Sequence, residues 1–448
     1  MILKKPTYML LAFFGFSFGV AFAQNENNPL AKWTWEDVRT YIRVYEVPYN
    51  ELHDRNYPSI GCTHCTNPVM PGEDPPRGAM EKFYQDGVRV TQGPIILMQE
   101  FIAKIAKGPR AAKDLTWDEA KRAMKALIEG EATQAQVGAF LVAMRIKMES
   151  VTELASMTAT ARSYVAPVPI PRELGVVDLP SYAGKQETFH ALAAAAIVAA
   201  SAGASVLMHG YDGIPGRAGN AGVLKALGLP IDMEPKLAAE AVRKHGFAYL
   251  DIALYHPPVY RFLEMRQELG ARNVFHPIAR LLNPARAASQ VVGLSHPPHF
   301  EKTAEVLRML ACPRALVVSG VEGDPELSIS ALTRVLELRD ERITPLSFAS
   351  KDVGLPLGTP RDMAGFPSDQ RDKEADLLRR ILHNQVQGGS HNWVLMNAAL
   401  ILYAAGKGAT WAACVPLARR ALEEGAAARK LEELTQEPVG TGVPGRTH

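Results

Sequence analysis

The chain has 448 residues, which is enough for about two or three domains of roughly 150 residues each. Apolar residues make up 47% of it and charged residues 21%, which is ordinary composition for a globular protein. The 49 basic and 47 acidic side chains leave a formal net charge of +2. The overall charge therefore does not indicate nucleic acid binding, although a local basic groove is compatible with a balanced total.

The first 23 residues carry the pattern of a secretory signal peptide. Lys4 and Lys5 precede an apolar run, and Ala21, Phe22 and Ala23 form an A-x-A cleavage pattern. The apolar run is short and interrupted by glycines, so residues 1–23 do not predict a stable membrane span. Two interpretations stay open. The segment is either an export signal, which would place the protein in the periplasm or outside the cell, or a misplaced gene start before a cytoplasmic protein.

Residues 24–92 contain one helical pattern followed by an irregular segment. Trp35, Val38 and Ile42 recur at helical spacing, and Pro48 ends the pattern. The later stretch SIGCTHCTNPVMPGEDPPRG has four prolines and three glycines, so it predicts a loop. This loop contains a C-x-x-C, a spacing found in metal and redox sites.

Cysteine is scarce, since the chain has Cys62 and Cys65 of the C-x-x-C and only two others, Cys312 and Cys414. Four cysteines in a chain of this length do not make a disulfide scaffold. A metal site of four thiolates would need all four. Because Cys312 and Cys414 lie in segments whose apolar pattern predicts burial, we do not expect that site.

Residues 93–165 predict a small helical bundle with short connections. Gly130 marks the first connection. Three capping-box patterns, in which Ser or Thr is followed three residues later by Glu or Gln, each precede an apolar periodic run: Thr116 with Glu119, Thr133 with Gln136, and Ser150 with Glu153.

Residues 166–437 alternate short apolar runs with longer helical patterns. The apolar runs predict buried strands at 204–210, 247–253, 290–296 and 314–320. The helical patterns are ETFHALAAAAIVAASAG, NAGVLKALG, KLAAEAVRKHG and HFEKTAEVLRML. This alternation predicts the α/β class with a mostly parallel sheet.

In such sheets active sites gather at the carboxyl ends of the strands, and His209 and Ser319 stand at two of these ends. Residues 438–448 are rich in Gly and Pro and predict a loose tail.

Residues 96–437 resemble the anthranilate phosphoribosyltransferase family, which is glycosyltransferase family 3. The matching stretches run in family order and include LTWDEAKRAMKALIEGEATQAQVGAFLVAMRIK, MHGYDGIPGRAGNAGVLKALG, YHPPVYRFLEMRQELGARNVFHPIARLLNPA and ALVVSGVEGDPELS. The resemblance implies a helical bundle domain followed by a larger α/β domain. It also implies a cytoplasmic homodimer joined through the bundle, and a cleft between the domains. That cleft would hold 5-phosphoribosyl 1-diphosphate with magnesium beside an aromatic amine.

The acceptor side of this cleft is kept in the sequence. By position, His209, His256, Tyr260 and Arg266 match residues that line the family's aromatic acceptor pocket, and an arginine can bind a carboxylate bidentately. Arg280 stands where the family has a proline at the pocket wall, so the acceptor need not be anthranilate. The alternatives are a helix-start role for His256 and a solvated helix face for Arg266.

The phosphate side departs from the family. The family's Gly-Thr-Gly-Gly-Asp loop is here Ser181-Tyr182-Ala183-Gly184-Lys185, and its Thr-x-Asn-x-Ser motif is here Thr188-Phe189-His190-Ala191-Leu192. Side chains in place of glycine would hinder the close backbone approach that a diphosphate needs. The candidate phosphate ligands that remain are Gly184, Lys185, Thr188 and His190.

The metal pair departs as well. The family has adjacent Asp and Glu, whereas this chain has Asp324 and Glu326 separated by Pro325. In an active transferase these two carboxylates would hold Mg²⁺ while an amine displaces diphosphate from the ribose. Because all three changes weaken the same substrate, we predict a transferase of this family whose phosphoribosyl transfer is altered or lost.

A divergent branch of the family that lacks the glycine loop includes members resembling nucleic acid binders. This suggests an alternative in which a positively charged groove between the domains binds nucleic acid. The candidate groove residues are Lys185, Arg217, Arg272 and Arg280. Each of them is otherwise a solvated surface charge.

Residues 33–83 resemble the C-terminal part of adenylylsulfate and phosphoadenylylsulfate reductases. The agreement lies in VPYN, LHD, YPSIGC and GED around the C-x-x-C. In the iron–sulfur members this motif supplies two of four cluster thiolates, and an upstream cysteine pair supplies the others. This chain has no such pair, so Cys62 and Cys65 form half a site, and we expect no complete cluster in one chain. The segment is interpreted as a sulfate-assimilation reductase remnant.

Overall fold

The structure is a computed structural model that describes residues 94–108, 110–182, 185, 187–213, 219–295 and 299–436. The predictions for residues 1–23 and 24–92, with Cys62 and Cys65, lie outside these residues. So do those for residues 438–448, Gly184 and Arg217.

Four helices open the described part of the chain: α1 (Pro94–Ile105), α2 (Trp117–Ile128), α3 (Gln134–Lys147) and α4 (Val151–Arg162). Helices α2, α3 and α4 each begin at a predicted capping box, and both reciprocal hydrogen bonds of each box are present. The helical bundle that the sequence predicts is therefore confirmed.

The capping box of α4 is buried and has additional partners. The Glu153 carboxylate accepts hydrogen bonds from the backbone N–H of Ser150 at 2.7 Å and of Leu115 at 2.8 Å. It also accepts one from Lys147 Nζ at 2.7 Å. Because Leu115 precedes α2 and Lys147 ends α3, this one carboxylate joins three helices of the bundle.

Seven strands form one sheet in the order β3-β2-β1-β4-β5-β6-β7. Neighbouring strands from β3 to β5 pair in parallel, and β6 and β7 complete the edge as an antiparallel hairpin. The strands are β1 (Val177–Ser181), β2 (Val206–Gly210), β3 (Phe247–Asp251), β4 (Ser289–Gly293), β5 (Arg314–Val318), β6 (Thr333–Arg339) and β7 (Arg342–Phe348). The mostly parallel sheet is confirmed.

Eleven helices pack on this sheet within the described residues. They are α5 (Ala191–Ser201), α6 (Asn220–Ala226), α7 (Pro235–His245), α8 (Ile252–Tyr255), α9 (Pro257–Leu269), α10 (Phe275–Arg280), α11 (Phe300–Met309), α12 (Arg371–Leu382), α13 (Gly389–Ala404), α14 (Trp411–Glu423) and α15 (Ala426–Thr435).

The two faces of the sheet belong to different hydrophobic cores because side chains alternate along each strand. On β2, Val206 and Met208 face the core that contains α5 and α13, whereas Leu207 faces the core that contains the helical bundle. We call these the α13 face and the bundle face.

The sequence analysis did not predict β1, and it also missed the β6–β7 hairpin. Its two-residue turn is Asp340 and Glu341, whose φ angles are 49° and 63°. Positive φ at both turn positions is what a type I′ hairpin requires, but the usual sequence signal is Asn-Gly or Asp-Gly. In the pairing register Pro345 of β7 lies opposite Leu336 of β6.

None of the helices in the described part of the chain combines the length and the apolar character needed to cross a membrane.

Replacing Glu153 by Ala tests its role in the bundle. We expect Glu153→Ala to lower the free energy of unfolding by about 3 kcal/mol, because two backbone N–H groups lose their acceptor and Lys147 keeps only Asp114 of its two carboxylate partners. Urea denaturation measures this. The matched control is Glu119→Ala, at the same capping-box position of α2 with a side chain 23% exposed, which should cost about 1 kcal/mol or less. Equal losses in the two variants would contradict the role assigned to Glu153.

Candidate functional site

The carboxyl ends of three neighbouring strands lie side by side. Ser181 of β1 is in register with Gly210 of β2, which is in register with Asp251 of β3. The segments that follow β1, β3 and β5 carry most of the residues that the sequence predicts to bind phosphate, acceptor and metal, respectively. The structure distributes them over two clusters, one on each face of the sheet.

The phosphate-side cluster contains Lys185, and its ammonium group is enclosed. Lys185 Nζ lies 2.5 Å from Glu326 Oε1, and the two side chains are 2% and 0% exposed. The same Nζ donates to the backbone oxygen of Phe189 at 2.8 Å and lies 4.6 Å from the ring centroid of Trp393. The Trp393 indole donates to the oxygen of Leu327 at 2.6 Å, which fixes its ring. Lys185, predicted to bind phosphate, and Glu326, predicted to bind the metal, are therefore in contact with each other.

This ion pair decides the charge of the cluster. Burial raises the pKa of Glu326 above its ordinary value, while Lys185 acts in the opposite direction as its nearest charge. A phosphate that approached Lys185 would have to displace a carboxylate already in contact with it. The assignment of Lys185 as a phosphate ligand stays a prediction, and this geometry disfavours it.

The remaining predicted phosphate and metal residues also have internal partners. Thr188 Oγ1 donates to Asp324 Oδ2 at 2.6 Å. The ring Nδ1 of His190 lies 2.7 Å from Glu374 Oε1, and the backbone N–H of His190 donates to the same oxygen at 2.6 Å. Although burial alone would raise the pKa of Glu374, these hydrogen bonds hold it below the ordinary value.

The donor set does not suit Mg²⁺. This ion needs near-octahedral oxygen ligands at about 2.0–2.1 Å and keeps several waters. Glu326 is fully buried against an ammonium group, and one oxygen of Asp324 already accepts from Thr188. Among the described residues, no group of three or more His, Cys, Asp or Glu side chains has the spacing of a metal site. In this arrangement both carboxylates already have partners at the place where a metal would bind.

The acceptor-side cluster centres on His209, which is fully buried on the bundle face. Its Nε2 lies 3.1 Å from Asp178 Oδ1 of the neighbouring strand. Its Nδ1 lies 3.0 Å from the hydroxyl of Tyr182 and 2.9 Å from that of Tyr255, and the two hydroxyls are 2.6 Å apart. Burial raises the pKa of both tyrosines well above the ordinary value, so both remain neutral donors. This network holds the imidazole in one orientation inside the protein.

His256 is a structural residue of the helix that follows it. Its Nδ1 accepts from the backbone N–H of Val259 in the first turn of α9, and its Nε2 lies 2.9 Å from the oxygen of Ala161 in the bundle. Burial lowers the pKa of His256, so the neutral ring donates from Nε2 and accepts at Nδ1. These contacts agree with the alternative prediction, in which His256 caps the start of a helix.

Tyr260 and Arg266 are half-buried on α9. The ring of Tyr260 packs edge-to-face on Tyr211, with the centroids 5.8 Å apart, and the Tyr211 hydroxyl bonds to Glu264. These side chains are the part of the predicted acceptor pocket that reaches the protein surface. Their binding role stays a prediction.

Arg280 lies in a cleft between the bundle and α10, α11 and the end of β4, and its charge is near enough to act on the pKa of the Tyr182 hydroxyl. Its NH1 group donates to the backbone oxygen of His276 at 3.4 Å. Arg272, the second candidate of the predicted nucleic acid groove, lines the same cleft. Lys185, in contrast, lies on the α13 face with Phe189 and Trp393, so the structure does not bring the groove candidates together.

Sequence reasoning missed the partners that complete each cluster. Glu374 and Trp393 enclose His190 and Lys185 from helices far along the chain, and no local pattern connects them. Asp178 and Tyr255 enclose His209. A polar Asp178 inside an otherwise apolar strand pattern was the one available signal.

Comparison with known proteins agrees with this architecture. Residues 176–428 match the glycosyl transferase family, a/b domain, and residues 99–165 match the helical bundle domain of the same family. The anthranilate phosphoribosyltransferase of Geobacillus kaustophilus is 35% identical over 344 residues, which are 77% of this chain and 99% of that protein. The enzyme of Haloarcula marismortui is 36% identical over 338 residues, which are 75% and 99%. The chain therefore belongs to the glycosyl transferase family of the anthranilate phosphoribosyltransferases.

Solved structures share the fold. The anthranilate phosphoribosyltransferase of Thermus thermophilus superposes with a TM-score of 0.67 at 30% identity, covering 76% of this chain and 98% of that one. The Saccharomyces cerevisiae enzyme gives 0.66 at 18% identity, with the same coverage. Residues 17–68 match the phosphoadenosine phosphosulfate reductase domain, which confirms the second resemblance over part of its predicted range.

Replacing Lys185 by Met leaves the carboxylate of Glu326 buried without its cation. We expect Lys185→Met to lower the free energy of unfolding by about 3–5 kcal/mol near pH 8. The pKa of Glu326, already raised by burial, should rise further. A carboxyl group with a raised folded-state pKa stabilises the fold at low pH and loses this effect as the pH rises through that pKa. The deficit relative to the wild type should therefore shrink as the pH is lowered towards about 5.

Urea denaturation across this pH range measures the effect. The control is the double variant Lys185→Met/Glu326→Gln, which removes both charges and should regain most of the lost stability near pH 8. A single variant as stable as the wild type at that pH would show that the pair does not hold the cluster together.

Proposed function

We propose that this chain is a phosphoribosyltransferase-family protein in which magnesium-dependent transfer of phosphoribosyl to an aromatic amine is strongly reduced. The observation that carries the proposal is the buried contact of Lys185 Nζ with Glu326 Oε1 at 2.5 Å. A diphosphate with its metal needs free cationic donors and free carboxylates at this place, and here each neutralises the other.

The relatives define the reaction that is reduced. One structure of the Saccharomyces cerevisiae enzyme is described as a complex with PRPP, which is 5-phosphoribosyl 1-diphosphate, and Mg. For this chain to bind the same pair, Glu326 would have to leave Lys185 and Asp324 would have to leave Thr188. Breaking a buried ion pair costs about 3–5 kcal/mol, which would be subtracted from the binding free energy of the substrate.

Binding and turnover of magnesium 5-phosphoribosyl 1-diphosphate test this proposal. We expect no saturable heat in titration calorimetry at millimolar ligand. With anthranilate as acceptor we expect kcat/KM to be lower by a factor on the order of 10³ or more than that of the Geobacillus kaustophilus relative assayed alongside. Micromolar binding and turnover comparable with the relative would overturn the proposal, and a screen of aromatic amines would then identify the acceptor.

We also propose that the protein forms a homodimer through its helical bundle and works in the cytoplasm. Support for the dimer comes from apolar side chains exposed on one helix. Val142 and Ile146, four residues apart on α3, are 40% and 64% exposed, and Met148 at its end is 38% exposed. Exposed apolar groups that share one helix face are typical of a protein interface.

The variant Ile146→Glu tests the dimer, because a charge at the centre of this face would be buried against the partner. Light scattering after size-exclusion chromatography should give twice the chain mass of 48.8 kDa for the wild type and the single chain mass for the variant. Leu357→Glu, at a 62% exposed leucine outside the bundle, is the control and should stay dimeric. If the wild-type protein has the mass of a single chain, the dimer proposal is wrong.

A further inference from the structure

A second cleft opens on the bundle face, away from the phosphate-side cluster. It is an open cleft, with about 790 Å³ of space in and above it when the solvent at its mouth is counted. The bundle contributes the end of α3 and the start of α4, and the α/β part contributes α10, α11 and the end of β4. None of Lys185, Thr188, Asp324 or Glu326 lines it.

Positive charge dominates this cleft. Four of its lining residues are cations, namely Arg145, Arg272, Arg280 and Lys302, against a single carboxylate, Glu149. That carboxylate already has two basic neighbours, since Glu149 Oε1 lies 3.7 Å from Lys302 Nζ and 3.9 Å from the Nδ1 of His299. The cations therefore outnumber the carboxylates among the residues that line the cleft.

Arg280 is held in an unfavourable environment for a cation. Burial lowers its pKa to about 10, and the neighbouring charge of Arg272 acts in the same direction. Its hydrogen bond to the oxygen of His276 is long, at 3.4 Å. An anion in the cleft would relieve both the lost hydration and the repulsion between the two guanidinium groups.

His276 adds a polar atom that has no partner among the described residues. The side chain lines the cleft and is 7% exposed, and its Nε2 makes no hydrogen bond. Its Nδ1 lies 3.2 Å from the backbone oxygen and 3.3 Å from the side-chain oxygen of Asn273, and the backbone N–H of Asn273 lies 3.3 Å from the same atom. Burial and the nearby arginines lower the pKa of His276 to about 3, so the ring is neutral and its Nε2 is left to hydrogen-bond a ligand.

We propose that this cleft binds a compact anion with at least two negative charges, a phosphorylated or polycarboxylated small molecule. The guanidinium groups of Arg145, Arg272 and Arg280 would bind its oxygens in bidentate fashion. The Nε2 of His276 would hydrogen-bond a further polar atom of the ligand. A nucleic acid strand fits less well, because single-strand sites stack bases on aromatic side chains and no Phe, Tyr or Trp is among the described residues that line the cleft.

The ligand would bridge two parts of the fold. Arg145 belongs to the bundle, whereas Arg272 and Arg280 belong to the α/β part. One direct bond already joins them here, from Lys302 Nζ to the backbone oxygen of Glu149 at 2.6 Å. Binding across this junction should raise the melting temperature, since a ligand that binds only the folded state stabilises it.

Titration calorimetry and thermal unfolding of the full chain, in magnesium-free buffer, test the proposal. The probes are inorganic pyrophosphate and citrate, which separate phosphate from carboxylate chemistry, and a single-stranded oligonucleotide. We expect saturable one-to-one binding of at least one small probe and a rise in melting temperature. No saturable binding of either small probe, or tighter and steeply salt-dependent binding of the oligonucleotide, would overturn it.

Variants locate the site. Arg280→Gln and the exposed Arg145→Gln should each weaken binding of the small probe at least tenfold. Because Arg145 is exposed, its replacement keeps the test valid if Arg280→Gln misfolds. Arg243→Gln, at an exposed arginine of α7 outside the cleft, is the matched control, and Thr188→Ala reports on the phosphate-side cluster. Both should bind as the wild type does. Equal binding by all variants, or loss in Thr188→Ala alone, would place the anion elsewhere.

Discussion

The ion pair of Lys185 and Glu326 constrains the rest of the site. Both charges are inside the protein, so each is stable there only because the other is in contact with it. Trp393 and the oxygen of Phe189 complete the enclosure of the ammonium group, and these groups belong to the core between the sheet and α13. Binding a diphosphate here would therefore break the ion pair and also disrupt the packing of Lys185 on Trp393. The loop after β1 has the position of a phosphate loop and the contacts of a core element.

On the other face of the sheet, the hydroxyls of Tyr182 and Tyr255 contact each other and the Nδ1 of His209, whose Nε2 lies 3.1 Å from the buried Asp178. Tyr182 stands within the segment that replaces the family's glycine loop. The changes in the loop thus fill both faces at the carboxyl ends of the strands, with a lysine on one side and a tyrosine on the other.

Much of the fold could be predicted because its signals are local. The capping boxes before α2, α3 and α4 and the four predicted strands were each found at or near their predicted places. The hairpin was missed because Asp340 and Glu341 take left-handed backbone angles without the glycine that usually marks such a turn. The site was predicted less completely. The sequence identified Lys185 and Glu326 as candidate site residues. It did not predict their contact, which depends on packing between segments far apart in the chain.

The hairpin has a consequence for assembly. Strand β7 forms one edge of the sheet, and most of its side chains are exposed or half-buried. A flat, exposed edge is a template on which another chain can add a strand. Pro345 interrupts this template near the middle of β7, since proline has no N–H to donate to an added strand. The missing donor weakens this edge as a template for a strand added by another chain.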